Sequence, residues 1–363
     1  MPQETPEPSR LEQLPSELRR YLLARLNLDQ VKALIKSSPT FYQQYRHDRR
    51  FILGSVLNKE LGLLAVDAYA VHLTSSVKFD HAHLEDTAPE LLKHYRRLRS
   101  SPDFSLLGQE LTGNDMADLA MYYLSVIRPF TEMYRDWALT NAAEDCKIDQ
   151  TEAHNAPLSL TEQLRIMRAL YRFQLWCNLF GSPEHSIDKV DILDMFFGLY
   201  EPWEVEEINS VHAFATDVFT TDLCWYTDTR NMRIFAADGF HVEYNSGRPE
   251  ILRKDTQEDR RVMYPSARDQ LERDKEPFPF MGDEPAQPPL AWTQMWRDEY
   301  SNLFGSFVPD ATTEWGFIMW DKARFIDLEG YDVVWYTCKD EWGLEDPRER
   351  FRDQEESEDD EDW

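Results

Sequence analysis

The chain has 363 residues, of which 42% are hydrophobic and 13% aromatic. That is enough apolar material for a sizeable core, and it excludes wholesale disorder. Lys and Arg number 39 against 67 Asp and Glu, a formal charge of −28, which repels nucleic acid and anionic membrane and excludes general binding to either.

The first residues, MPQETPEPSR, are acidic and Pro-rich, without the apolar stretch of a secretory signal, and 1–10 reads as a disordered leader. Residues 11–60 read as a module of short helices. Pro15 lacks a backbone donor and has φ pre-set, so it suits the first turn of a helix. Leu14, Leu18, Leu22 and Leu26 recur every four residues, and Leu23 widens the stripe. Asp29 is placed to cap a second helix, on which Val31, Leu34 and Ile35 share a face. Ser37-Ser38-Pro39 breaks it, and Tyr42 and Tyr45 begin a third. Three helices this short cannot enclose a core alone, so their leucines must pack on the rest of the chain or on a partner. Residues 10–60 hold ten Lys and Arg against five acids, so the segment is +5 and the remainder −33.

Residues 61–246 read as a helical domain. Asn114 is placed to cap a helix with Met116, Leu119, Ala120, Tyr123 and Ile127 on one face, which Pro129 kinks or ends. The pattern resumes with Phe130, Met133, Tyr134 and Trp137. Ser159-Leu160-Thr161-Glu162 fits a capping box opening a helix that runs to Gly181. Its second half is apolar on nearly every side, which places it at the centre of the domain. Helices are also expected over Ile187–Tyr200 and Val205–Tyr226, and a minor β-hairpin around Asp238-Gly239. Residues 247–290 carry seven of the 20 prolines and read as a connection, with one short helix at 266–275. In 291–345 six of the 11 tryptophans return, and this section is expected to dock on the helical body. Residues 346–363 form an acidic tail. Asp353–Asp362 contains eight acids and no base, with Ser357 among them in a context that acid-directed kinases favour. The fold class is therefore mainly α.

Candidate chemistry is sparse. Cys146, Cys177, Cys224 and Cys338 lie at least 31 residues apart, which gives no cysteine-only zinc site and suits a reducing, cytoplasmic or nuclear compartment. No run of apolar residues is long enough to span a membrane. The nucleophile-elbow, zincin, Walker and dinucleotide glycine motifs do not occur. His81-Ala82-His83 with Glu85 and Asp86 offers metal-ligand types, but reads better as a solvated loop. Arg168 and Arg172, on the otherwise apolar helix, could form an anion pocket, but pairing with the domain's own acids is the better reading. No cofactor, metal or catalytic residue is assigned.

The segment 11–50 resembles the F-box, the helical module through which substrate receptors join SCF-type ubiquitin ligases. The resemblance rests on Leu14-Pro15-Ser16-Glu17-Leu18, Leu22 and Leu26, then Asp29, Val31, Leu34 and Ile35. The run Arg168–Leu175 and the run Trp315–Asp321 are similar to a group of fungal F-box-like proteins. The resemblance implies a Skp-type adaptor subunit as partner, with Leu14, Pro15, Leu18, Leu22, Val31 and Leu34 as anchors, and a +5 segment suits the acidic surface of such an adaptor. The function expected is a non-catalytic receptor that links a target protein to the ligase. Two alternatives stay open: a helical scaffold whose F-box-like helices are internal structure, and an enzyme of a different fold.

Overall fold

The computed structural model describes residues 9–76, 79–100, 110–146, 156–181, 187, 192, 195–220, 279–295 and 308–335. Among them every regular element is a helix or helical turn. The chain divides into two compact units, Met1–Ala82 with Glu90–Arg128, and His83–Pro89 with Pro129–Trp363.

In the first unit α1 (Ser16–Arg25) follows Pro15, which occupies the N-cap position immediately before the helix. Helix α2 (Leu28–Ser37) opens on Asn27, whose side chain accepts from the Gln30 amide while the Gln30 side chain reaches back to the Asn27 N–H. Asn27 therefore takes the capping role expected of Asp29. Asp29 instead forms an exposed ion pair with Arg128 at 2.6 Å. The break at Ser37-Ser38-Pro39 is a junction between helices: Ser38 ends α2 and caps α3 (Pro39–Leu61) through its hydroxyl. Helix α3 kinks at Asp48 and stops at Gly62, where φ is +49°, a conformation that favours glycine. A 3₁₀ turn (Gly62–Leu64) leads into α4 (Ala65–Ser75). A further 3₁₀ turn (His81–His83) leads into α5 (Leu84–Ser100), a helix shared by the two units.

Helix α6 (Gly113–Tyr122) is capped by Thr112 in a box with Asp115. Asn114, the expected cap, instead accepts from the Arg49 guanidinium at 2.7 Å. Pro129 neither ends nor breaks the helical run. Its ring would press on the carbonyl four residues back, and the chain widens into a π turn over Tyr123–Ile127 directly ahead of it. Helix α7 (Arg128–Cys146) continues from there.

The second unit is built around α8 (Leu160–Phe180), opened by the Ser159/Glu162 capping box and closed at Gly181 as the sequence indicates. It is buried along nearly its whole length. The Ile187–Tyr200 helix lies partly outside the described residues. Its described end is a 3₁₀ turn (Phe197–Leu199); the Phe197 ring and that of Phe196, just ahead of the turn, both meet Trp176. Helix α9 (Pro202–Thr220) packs along α8. Its Ser210 hydroxyl bonds Tyr134 of α7 at 2.6 Å and donates to the Thr313 carbonyl at 2.8 Å. Three short helices, α10 (Leu290–Met295), α11 (Asp310–Glu314) and α12 (Lys322–Asp327), complete this unit. Trp292, Trp315 and Trp320 are buried in its core, so this part of the Trp-rich section packs on the helical body. Gly316 joins α11 to the Phe317–Met319 turn with φ +69°, and a Cβ there would meet the Tyr134 hydroxyl oxygen at 2.7 Å. The expected hairpin, the helix at 266–275 and the acidic tail lie outside the described residues.

Candidate partner interface

The N-terminal module is held by its own polar contacts. Arg19 donates to the carbonyls of Glu12 and Leu14 at 2.8 and 2.9 Å and to the Gln44 side chain at 3.3 Å. The Ser38 hydroxyl donates to the Glu12 carboxylate, and this bond holds the Glu12 carboxyl below its usual pKa range. These bonds tie residues 12–14 to α1, α2 and α3, so the Leu14-Pro15 entry is fixed in place. Along α1 and α3 the contacts run in the same direction. Arg19 meets Gln44, the Tyr21 ring meets Phe51 at 5.8 Å, and the Arg25 carbonyl accepts from Lys59 at 3.5 Å.

The six expected anchors divide between inside and outside. Leu18 is 53% exposed, Pro15 is exposed, and Leu14, Leu22 and Leu34 are half-buried. Val31, at 3% exposure, is a core residue, together with Leu23 at 0% and Leu28. The leucine stripe of α1 thus has two faces. Leu23 seals the inner one, while Leu18 shows on the outer one with Tyr21, one turn on and also 53% exposed. Leu11 and Phe51 are exposed as well, and the Arg20 guanidinium lies over the Tyr21 and Phe51 rings at 5.2 and 4.7 Å. Tyr21, Phe51 and Arg20 do not fall on the four-residue leucine spacing. The signal that would have found them is that α1 carries apolar side chains on more than one face. Leucine, tyrosine, phenylalanine and arginine in one surface patch provide rigid aromatic area and a planar cation, the side-chain types enriched at interface hot spots.

The other candidate positions have internal partners. The Arg168 guanidinium grips Glu207 with two N–H groups, one at 2.6 Å, and donates to the Pro285 carbonyl. Arg172 pairs with Glu204 at 2.8 Å and stacks over Tyr200 at 4.6 Å. Their forks are taken by carboxylates of α9, in accord with the pairing read from the sequence. A second buried cluster ties the start of α8 to α12. Glu162 accepts from Arg324 at 2.9 and 3.1 Å and from the Asp321 amide at 3.2 Å, and Arg165 meets Asp321 at 2.7 Å. Burial pushes the Asp321 carboxyl above its usual range, against the pull of Ser159 and Arg165. His81 bonds the Thr74 carbonyl at 2.9 Å. Among the described residues no group of three or more His, Cys, Asp or Glu is placed to hold a metal ion, and no helix is long and apolar enough to cross a membrane. Comparison with protein families, with curated proteins and with solved structures finds no match to this chain.

Proposed function

We propose that the chain is a non-catalytic receptor: its N-terminal helices dock a Skp-type adaptor of an SCF-type ubiquitin ligase, and its larger helical unit holds a target protein. The observation that carries this reading is the outer row of α1. Leu18 and Tyr21 stand more than half exposed on a helix whose inner face is already sealed by Leu23. The partner contact uses Leu14, Pro15, Leu18 and Leu22, with Leu34 at its edge. Val31 supports the module from inside. The positive balance of residues 10–60 speeds encounter with an acidic adaptor. Reaction chemistry belongs to the ligase subunits, and localisation is cytoplasmic or nuclear, where such ligases work.

A second reading is favoured by the burial of Val31: α1–α3 form the wall of an intramolecular scaffold and bind no adaptor. Titration of the full chain with purified adaptor separates the two. The receptor reading expects micromolar or tighter binding, weakened at least about tenfold by Leu18→Asp, a loss of about 1.4 kcal/mol. Absence of binding by a chain with native helical content leaves the scaffold reading.

A further inference from the structure

The corner that follows α12 in the second unit shows a surface of another kind. Helix α12 ends at Asp327, and the chain turns through Glu329, whose φ of +52° lies in the left-handed region. A strained residue of this kind persists only where its surroundings over-determine it. The Glu329 carbonyl accepts from the Asp332 and Val333 amides at 2.9 and 3.2 Å and opens a helical stretch over 330–335. Gly330 lies so close to the Phe325 ring that a Cβ would stand 2.5 Å from it. This tight corner sets Tyr331 edge-on to buried Phe325, with ring centroids 5.2 Å apart. Tyr331 is nevertheless 45% exposed, and Trp335, one turn on, is 56% exposed. Among the described residues the Trp335 indole meets no other ring and makes no hydrogen bond. Asp327, Glu329 and Asp332 are exposed too, and none makes an ion pair among the described residues. No Lys or Arg occurs from Phe325 to Trp335. The two bases of α12 are engaged: Arg324 is buried against Glu162, and Lys322 holds its ammonium over the Phe280 ring at 5.8 Å.

We propose that this corner, centred on Tyr331, Asp332 and Trp335, is a docking surface for a basic segment of a partner protein. On a helix Tyr331 and Trp335 share a row, and Asp332, three residues before Trp335, borders it. Aromatic rings beside carboxylates suit Arg and Lys: a ring face attracts the cation, and a carboxylate takes the paired N–H groups of a guanidinium. Charge selects the class of occupant. Nucleic acid, an anionic membrane and the chain's own acidic run Asp353–Asp362 carry the same sign as Asp327, Glu329 and Asp332 and are repelled there. Tyr331 and Trp335 stand about 6 Å apart along the row at the helical rise. Alternate residues of an extended chain stand about 6.6 Å apart. An extended segment with basic residues at alternate positions therefore brings one to each ring. Tyr331, already set against Phe325, loses little freedom on binding. The proposal deepens the target-holding half of the function proposed above and rests on that half, with no dependence on the adaptor.

The test uses the full chain and a fluorescent peptide of alternating Arg and Ser, followed by anisotropy. Micromolar binding at low salt is expected, with Trp335→Ala and Asp332→Asn each weakening it at least about fivefold. Asp86→Asn with Asp118→Asn removes two exposed carboxylates elsewhere and should leave the affinity nearly unchanged, which separates the corner from the general attraction of an acidic chain for a basic peptide. If Trp335→Ala disturbs folding, judged by far-UV circular dichroism, Trp335→Phe replaces it and should retain most of the affinity, and Asp332→Asn carries the test. Absence of peptide binding overturns the proposal. So does binding that Trp335→Ala and Asp332→Asn leave intact, or that Asp86→Asn with Asp118→Asn weakens as much. Adaptor titration is a separate readout. Adaptor binding without peptide binding removes this surface and leaves the docking to a ligase, whereas peptide binding without adaptor binding leaves this surface and removes the ligase.

Discussion

Glu162 shows how one side chain serves local and long-range structure together. It completes the capping box of α8 by accepting the Ser159 N–H, and it holds the buried Arg324 guanidinium and the Asp321 amide. Glu162→Gln keeps the shape and removes the carboxylate charge that Arg324 meets in the buried cluster. The expected loss is about 3–5 kcal/mol, read from urea unfolding. The cap role was legible from the Ser159-x-x-Glu162 spacing. The ion-pair role was not, because Arg324 lies 162 residues away and no local pattern links them. Asp115 gives a pH-dependent counterpart. Hydrogen bonds from the Thr112 hydroxyl and then the Thr112 amide hold its carboxyl below the usual 3.8, with a smaller pull from His72. A carboxyl lowered in the fold contributes stability above its unfolded pKa and loses that contribution as pH falls through the folded value. The stability gap between the native chain and Asp115→Asn should therefore stay constant above pH 3.8 and close below it, as measured by thermal unfolding at stepped pH.

At the scale of elements, helix existence was easier to read than helix starts. The apolar spacing located α1, α2, α6, α8 and α9, since tertiary burial imposes that spacing on any amphipathic helix. Caps were displaced by two residues in two cases. Asn27 and Thr112 do the work expected of Asp29 and Asn114, because each pairs with a polar side chain three residues on and closes a reciprocal box. Asn27→Ala should cost about 1 kcal/mol, whereas Asp29→Ala removes an exposed ion pair worth less than about 1 kcal/mol. Chemical denaturation of the two variants ranks them. Opposite ranking would return the cap to Asp29. The partner row was legible only in part. Leu18 and Val31 carry equally apolar side chains, and the sequence offers no sign that one faces water and the other the core. That distinction depends on how α2 and α3 close over Val31 and leave Leu18 open, which is a tertiary fact. The π turn before Pro129 is of the same kind: a proline in a helical run signals disturbance, but whether the helix ends, bends or widens is decided by what packs around it.

The whole molecule combines a small positive stretch with a strongly negative remainder, and two compact units with different interiors. The second unit relies on buried guanidinium–carboxylate pairs between helices, Arg168 with Glu207, Arg172 with Glu204 and Arg324 with Glu162. Isolated buried ions are costly, so removing one partner of these pairs between α8 and α9 or α12 costs more than the pair itself contributes. The first unit has no comparable set among its described residues and closes through Leu23, Val31, Phe41, Ile52 and their neighbours. One more property follows from where the indoles sit. All 11 tryptophans occur after Pro129, the first being Trp137, so the first unit contains none. Ultraviolet emission excited at the red edge of the absorption band is then a native optical label for the second unit, while the first stays dark. During a denaturant ramp, emission should track loss of the indole-bearing unit alone, while ellipticity sums both. Two displaced midpoints would mark two cooperative melting events, and a coincident pair would mark one.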